Sequence, residues 1–454
     1  MKGESSLDHA NVAPPAGWRR VSLSSVADVR FSNVDKLTHD GEVPVRLCNY
    51  TNVYNNDYIV NAMPFMRASA TKSEIARFQL RKGDVIITKD SETPDDIGIS
   101  AVVDEAAPDL VCGYHLALIR PNLAEVDPTF LAKQLGHDVI ARFFACRATG
   151  STRYGLANLT VESAPLLLPA LKVQQAISSA IRQVDLALSH LEALIAKYMR
   201  IKTGLIRDLL TRGVDDDGCL RDVKTHKFKE SPIGPIPEVW DVSSAGCQFE
   251  ITAGFTLGDH RRPNQNRRRY LRVANVQRGF ISFTDVAELE ASDREVAKRT
   301  LREDDLLVVE GHADPGQIGR CARVPPEATG MTFQNHLFRL RPFSMLARFS
   351  EIWLNSPRVQ AYWRIHCGTS SGLNTINRSM LERVPIVLPS KKEQQRIIVA
   401  TDTVDAYVTG AFQRLRKLQS TKIGVMKDLL TGKVSVDSLL TREDQGVFNL
   451  VDRR

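Results

Sequence analysis

The side chains most able to act on a ligand are gathered in HRRPNQNRRRYLRVANVQRG (260–279). There Arg261, Arg262, Arg267, Arg268 and Arg269 stand among Asn264, Gln265, Asn266, Asn275 and Gln277. Guanidinium forks reach phosphate oxygens or the O6/N7 edge of guanine, and Asn or Gln amides can pair with adenine. Such a mixture suits base reading better than a plain lysine patch would; a solvated basic loop is the plain alternative. Earlier in the chain Arg46, Asn49, Tyr50 and Asn52 hold the corresponding place ahead of a strand-like stretch, and Lys89 ends LRKGDVIITK. Two short loops bracketed by glycine, GSTRYGL from Gly150 and GTSSGL from Gly368, add Ser151, Arg153, Tyr154, Ser370 and Ser371. Their backbone N–H groups and hydroxyls could hold phosphates, although a structural turn explains them equally well.

Bond-making chemistry finds no comparable foothold. A methyltransferase would need a Gly-rich cofactor loop and an Asn/Asp-Pro-Pro-aromatic motif. Asp127-Pro128-Thr129-Phe130 lacks the second proline and reads as the opening of a helix. Pro94-Asp95-Asp96 has no Glu-x-Lys follower, and neither a phosphate-cradling G-x-x-x-x-G-K-[ST] nor a zinc-binding H-E-x-x-H occurs. His115 and His336 each stand alone beside an apolar run, which reads as a satisfied structural histidine. Seven cysteines never form a C-x-x-C pair, which argues against a disulfide scaffold or zinc site and fits a reducing cytosol. No run is long and apolar enough to span a membrane, and the first residues lack the apolar core of a secretory signal. No catalytic or metal-binding residues are therefore assigned.

The elements that must position the basic groups emerge when the sequence is slid along itself. At an offset of 220, LLLPALKVQQAISSAIRQVD (166–185) overlays IVLPSKKEQQRIIVATDTVD (386–405), and IKTGLIRDLLT (201–211) overlays TKIGVMKDLLT (421–431). Near 221, LRKGDVIIT overlays LREDDLLVV, YHLALIRP overlays NHLFRLRP, and Trp18 matches Trp240. A period this long marks a duplicated domain pair, not a solenoid. In the first helical segment Ile177, Ile181, Val184, Leu188, Leu191, Ile195, Tyr198, Lys202, Leu205 and Leu209 keep a 4-3 spacing. The second repeats it through Val408, Leu415, Lys422 and Leu429. Only a coiled-coil helix explains such a seam economically. Lys202 and Lys422 sit at matching a positions; each either snorkels, the simpler reading, or selects register and partner. The chain carries +7 overall, which mildly favours a polyanionic partner. The helical segments hold most of that excess, so charge alone does not demonstrate nucleic-acid binding.

The expected fold is α+β: two tandem, pseudo-symmetric α+β modules joined by two long helices that form an antiparallel intramolecular coiled coil. The expected boundaries are an N-terminal tail over 1–17, the first module over 18–165 and the central helix over 166–212. A linker over 213–237, the second module over 238–388, the C-terminal helix over 389–436 and a tail over 437–454 follow. Within the modules, LRKGDVIITK, LREDDLLVVE and FISFTDVAEL read as strands, and PTFLAKQLGHDVIARFFACR and RFSEIWLNSPRVQAYWRIHC as helices.

In their order and duplication these parts resemble the specificity subunit of a type I DNA restriction–modification system. The resemblance rests on the GWRRVSLSSVADV opening, LPSKKEQQRI with its weaker copy LPALKVQQAI, the paired DLLT helix ends and the SPIGPIPEVW relay. Val173 stands where the motif usually has glutamate. The resemblance implies a cytoplasmic, non-catalytic subunit whose modules each read one half of a split target in double-stranded DNA. It implies that the paired helices set the gap and dock two modification subunits, which carry S-adenosylmethionine and methylate adenine N6. Restriction subunits, with ATP and magnesium, are the further implied partners; no cofactor falls to this chain and no membrane is involved. The other class open at this point is a coiled-coil scaffold that assembles partners without reading DNA.

Overall fold

A computed structural model describes residues 13–370 and 373–436. They divide into two compact units, one from the described parts of 1–192 and 414–454, the other from 193–413. Each unit holds one globular module and one half of each of two long helices, Leu171–Arg212 and Lys391–Leu430.

In the first unit a five-stranded sheet runs in the order Ala27–Phe31, Leu116–Pro121, Val85–Thr88, Ser100–Val103, Tyr58–Ile59. Its strand VIIT is buried along its whole length, as a strand covered on both faces must be. Alternation sorts the side chains. Val85, Ile87, Ala117 and Ile119 join a core with Phe130, Ile177 and Ile181, whereas Ile86, Leu116 and Leu118 enter a second core. That second core lies under a three-stranded sheet, Met66–Ala70, Val43–Cys48, Leu110–Cys112.

The second unit repeats this plan. Its sheet runs Phe249–Ala253, Leu337–Pro342, Leu306–Val309, Cys321–Arg323, and Leu306, Val308, Phe338 and Leu340 face one core while Leu307, Val309 and Leu337 face another. The strand Arg267–Leu271 is antiparallel to Ala287–Glu290 and parallel to Thr332–Phe333. Val43–Cys48 has the same two kinds of neighbour. The turns before Val85 and Leu306 also match: Gly83 has φ +89 and Asp304 φ +69, the only described non-glycine residue in that region. Aspartate tolerates this conformation better than most residues, and its carboxylate accepts from Arg323 Nη1 at 2.7 Å. In each module the first strand closes on the last, Arg19–Ser22 on Pro165–Leu168 and Asp241–Ser244 on Pro385–Leu388.

Five expectations need correction. The central helix begins at Leu171, not 166, because 165–168 pair as a strand and Pro169 cannot extend the ladder. The C-terminal helix spans Lys391–Leu430, and Gly432 at φ +68 ends it as Gly213 at φ +68 ends its counterpart. PTFLAKQLGHDVIARFFACR is two helices, Pro128–Leu135 and Asp138–Ala145, because His137 starts a new cap by accepting from Val139 N at 3.4 Å. The corresponding segment breaks likewise between Ala347–Leu354 and Pro357–His366, where Ser356 caps ahead of Pro357. FISFTDVAEL likewise divides, into Phe280–Ile281 and Ala287–Glu290.

The long helices pack antiparallel within each unit. Ile177 and Ile181 share a core with Leu429 and Leu430 in the first; Tyr198 stacks on Tyr407 with ring centroids 6.0 Å apart in the second. The seam positions Ile181, Leu188, Ile195 and Leu209 are buried, as is Leu429, while Val408 and Leu415 are half-buried. The two seam lysines do not simply snorkel. Lys202 Nζ lies 2.5 Å from Asp405 and Lys422 Nζ 2.6 Å from Asp185, so each reaches an aspartate on the opposite helix. The glutamines of the repeated motif have a structural task as well. Gln174 accepts from Asp127 N at 3.0 Å and donates to Glu125 O and Pro169 O at 3.0 and 2.9 Å. Gln394 accepts from Leu346 N at 3.0 Å and donates to Pro389 O at 2.9 Å. Each amide thus pins a helix start to the module beside it.

Candidate nucleic-acid interface

The two modules place their candidate groups on equivalent backbone frames. Arg46 lies on Val43–Cys48 beside Leu110, and Arg269 occupies the matching position on Arg267–Leu271, so the first candidate lies on a strand and not ahead of one. Their surroundings differ. Arg46 donates twice to Asp109, both bonds 2.8 Å, with its guanidinium over the Phe65 ring; Asp109 is held below the usual carboxylate range by this arginine. Arg269 makes no ion pair among the described residues and is exposed.

The arginine-rich segment of the second module is less positive than it reads. Arg261 donates to Glu295 at 2.6 Å and to Glu290 O at 3.1 Å, with its guanidinium over Phe255. This bond is the first cause that brings the Glu295 carboxyl down to about 2, with Ser292 as its second donor. Arg268 pairs with Asp293, exposed Arg262 with Asp259 at 2.8 Å, and Arg267 stands 3.9 Å from Glu288. Glu288 comes from the partner strand Ala287–Glu290 and Asp293 and Glu295 from the helix Asp293–Ala297, whereas Asp259 lies on the turn that also carries Arg261. Asn275 is buried and staples its own loop, accepting from Arg272 N at 2.8 Å and donating to Ser282 O and Asp285 O at 3.0 and 2.9 Å. Gln277 donates to Ala274 O at 2.7 Å. Beyond it the hairpin of Val276–Gln277 and Phe280–Ile281 carries Phe280, 60% exposed. Aromatic faces of this kind can stack on bases. Sequence inspection did not separate this Phe from core phenylalanines.

In the first module several candidates converge. Tyr154–Gly155 pairs with Asp90–Ser91, which brings Arg153 to 3.2 Å from Asp90. Asp90 in turn meets His115 Nδ1 at 2.7 Å. Tyr50 hydrogen-bonds Ser91 and stacks on Tyr54 with centroids 5.4 Å apart. Burial, with Asp96 and Asp90 nearby, pushes the Tyr50 phenol above its ordinary pKa. The turn from Gly150 to Arg153 admits no side chain at its first residue: at φ +148 a Cβ would lie 2.0 Å from Arg153 O. Exposed Ser151 sits on this turn. Two other candidates serve internal bonds. Asn49 caps the helix Tyr50–Tyr54, and Lys89 donates to Ser32 O at 2.9 Å, where burial lowers its pKa.

The second module has the same backbone frame here with different side chains. Glu310 takes the backbone place of Lys89: each donates to a histidine carbonyl at 3.0 Å, His336 and His115 respectively, and each accepts at 2.8 Å from the residue just past a short strand, Ile376 and Leu156 respectively. Glu310 also binds His336 Nδ1 at 2.8 Å. Both histidines are thus paired with a carboxylate, one from the strand residue itself and one from the next position. In the second module this pair lines a cleft of about 570 Å³ with Val273, Gly311, Thr375 and Met380. Ser370 lies on the strand Gly368–Ser370, with only its backbone described, and Ser371 falls outside the described residues. Asp127, the nearest approach to a methyltransferase motif, caps its helix by accepting from Phe130 N at 2.8 Å, which bears out the structural reading.

No protein-family model matches the chain. Curated relatives do, along nearly the full length of both partners. The chain is 23% identical over 429 residues to the putative type I restriction enzyme MjaX specificity subunit of Methanocaldococcus jannaschii, covering 93% of this chain and 95% of the relative. It is 21% identical over 461 residues to the StySPI specificity subunit of Salmonella potsdam, covering 94% and 95%. With the EcoKI specificity subunit of Escherichia coli it shares 20% over 423 residues, covering 89% and 87%. Two solved structures share the fold. One is a chain from a type I R-M system, with TM-score 0.59 and 16% identity over 93% of this chain and 100% of the other. The second is the type I S subunit from M. genitalium, with TM-score 0.51 and 13% identity over 91% and 96%.

Proposed function

We infer that this chain is a specificity subunit of a type I restriction–modification system, the component that selects the DNA sequence and leaves bond chemistry to its partners. The observation that carries the reading is the duplication itself. Two modules share one backbone plan and one helix docking, yet carry different side chains on equivalent frames. That is the arrangement expected when each reads a different half of a bipartite site. Linking two weak readers makes the second engagement nearly intramolecular, so neither half need bind tightly alone.

In the first module Tyr50, Ser151, Arg153 and Tyr154 are the groups best disposed to meet DNA. In the second they are Arg262, Arg267, Arg269 and the Phe280 hairpin. Arg46, Lys89, Arg261, Arg268, Asn275 and Gln277 act at one remove, holding those surfaces in shape. The helix pair serves as spacer and as the dock for two modification subunits, which supply S-adenosylmethionine. Restriction subunits with ATP and magnesium complete the nuclease. The place of action is the cytoplasm, where these partners and DNA meet.

The test is to sequence the DNA of cells carrying this chain with its modification subunit and to map N6-methyladenine. A split motif, two short specified blocks around an unspecified gap, is expected. A single contiguous motif would refute the two-reader function, as would a motif unchanged when residues 238–388 are exchanged for another module.

A further inference from the structure

Resting on that function, we propose that two mixed-charge junctions, one per unit, fix the seating of each module on the helix pair and thereby set how strictly the complex demands one gap length. In the first unit Lys422 Nζ lies 2.6 Å from Asp185 and 2.8 Å from Asp57. Lys133 Nζ lies 2.7 Å from Asp57 and 3.0 Å from Asp185. The Tyr58 hydroxyl donates to Asp185 at 2.7 Å. One helix brings the lysine, the other the aspartate, and the module brings Asp57, Tyr58 and Lys133. Lys133 and Asp185 are only 5% and 9% exposed, so this is no solvated surface pair. Two cations face two carboxylates, and the cluster is neutral.

The second unit builds its junction at the same helix positions, 220 residues apart in sequence. Lys202 Nζ meets Asp405 at 2.5 Å. Here the module sends Arg348, which reaches Asp405 at 2.9 Å, Asp402 at 2.7 Å and Glu351 at 2.6 Å. Helix lysine and helix aspartate are thus common to both junctions, while the module's side chains are specific to each.

An apolar a/d seam tolerates small slides and rotations, because one aliphatic contact replaces another at little cost. A half-buried ion cluster does not, since a small displacement leaves a charge without its partner. The junctions are therefore positioning devices: they touch no DNA, yet hold the readers at one angle on the spacer.

The experiment uses the full chain assembled with its modification subunits. Its probes are duplexes carrying the mapped split motif with its natural gap and with gaps one base pair longer and shorter. The variants are Lys422→Met/Asp185→Asn, which leaves the Lys133–Asp57 pair intact, and Lys202→Met/Asp405→Asn, which leaves Arg348 with Asp402 and Glu351. We expect methylation of wrong-gap duplexes, relative to the natural gap, to rise about tenfold, the scale of losing one coupled pair. Duplexes with altered half-site bases should still be rejected. Unchanged gap profiles in complexes that assemble would overturn the proposal, as would equal loss of gap and half-site discrimination, the mark of a merely structural role. Should the more buried junction fail to fold when altered, the Lys202/Asp405 variant decides alone. A contiguous motif in the mapping step would instead refute the function beneath it.

Discussion

Replacing Gln174 by leucine removes an amide that makes three hydrogen bonds, to Asp127 N, Glu125 O and Pro169 O, at 2.9–3.0 Å. The same change at Gln394 removes two, to Leu346 N and Pro389 O. Leucine is close in volume, so little cavity forms and the loss is mainly polar. Each bond contributes about 1 kcal/mol net, with more where a buried partner is left unsatisfied. The expected destabilisation is therefore roughly 3 kcal/mol for Gln174→Leu and roughly 2 kcal/mol for Gln394→Leu. Because the two units need not unfold together, a single melting temperature would mix them. Amide hydrogen exchange of the helices Pro128–Leu135 and Ala347–Leu354 reads each site by itself. Protection in the first helix should fall about a hundredfold for Gln174→Leu, and in the second about thirtyfold for Gln394→Leu. The neighbouring Gln175 and Gln395 are exposed, and their leucine variants should change neither. Equal effects at both positions, or comparable effects from the exposed neighbours, would refute the assignment of the motif to these clasps.

Acid should loosen the first unit through its junction. Burial pushes the Asp57 carboxyl up, but Lys133 and Lys422 outweigh it and hold it below its usual 3.8. A depressed carboxylate stabilises the fold above its unfolded pKa and loses that contribution as pH falls through the folded value. Exchange protection around Tyr58 should therefore decline below about pH 4, and less steeply in Lys422→Met. Arg269→Ala should leave stability within about 0.5 kcal/mol and reduce the salt slope of DNA binding by about one, whereas Asn275→Ala should cost about 2 kcal/mol of stability. Calorimetry together with binding at several salt concentrations separates the two. Burial raises the thiol of Cys48 to about 12 and that of Cys112 well above its ordinary value, while Cys146, Cys219 and Cys247 are exposed. Iodoacetamide at pH 8 should label the three exposed thiols in the native protein and spare the other two, as peptide mass mapping would reveal.

The features that sequence disclosed best were those whose cause is local or repeated. A 4-3 seam is visible because every core position must recur on one helix face, and the 220-residue offset exposes both copies at once. Capping was legible for the same reason: Asp127 before Pro128 needs only its own helix. What escaped inspection depends on partners distant in the chain. The seam lysines looked like snorkelling side chains because their aspartates lie on the opposite helix. A signal was present, since Asp185 and Asp405 share the offset of Lys202 and Lys422, and an antiparallel pairing of the two copies must bring one of each kind together. The arginine run misled for a related reason. Counter-charges for Arg267 and Arg268 lie more than twenty residues downstream, and strand pairing brings Glu288 and the helix that carries Asp293 beside them.

Differences between the copies at matched positions also argue that the modules are more than a drifting duplicate. Glu393, where the first copy has Val173, is buried against Arg221, with bonds of 2.5 and 3.1 Å, and accepts from Val214 N at 2.8 Å. Val173 instead packs against the core that holds Leu429, Leu430 and Val436. Each residue matches the chain that crosses its helix start: a linker with an arginine in one unit, an apolar segment in the other. The paired histidines show the same compensation more sharply. Lys89 and Glu310 occupy one backbone frame with opposite charge, so the change alone would have left His115 without a carboxylate. Asp90, one position along, supplies it. Aimless divergence would have no reason to restore the pair from a non-equivalent residue. A histidine held by a carboxylate is therefore common to both modules, while the residue in the equivalent backbone place, lysine in one and glutamate in the other, differs in charge.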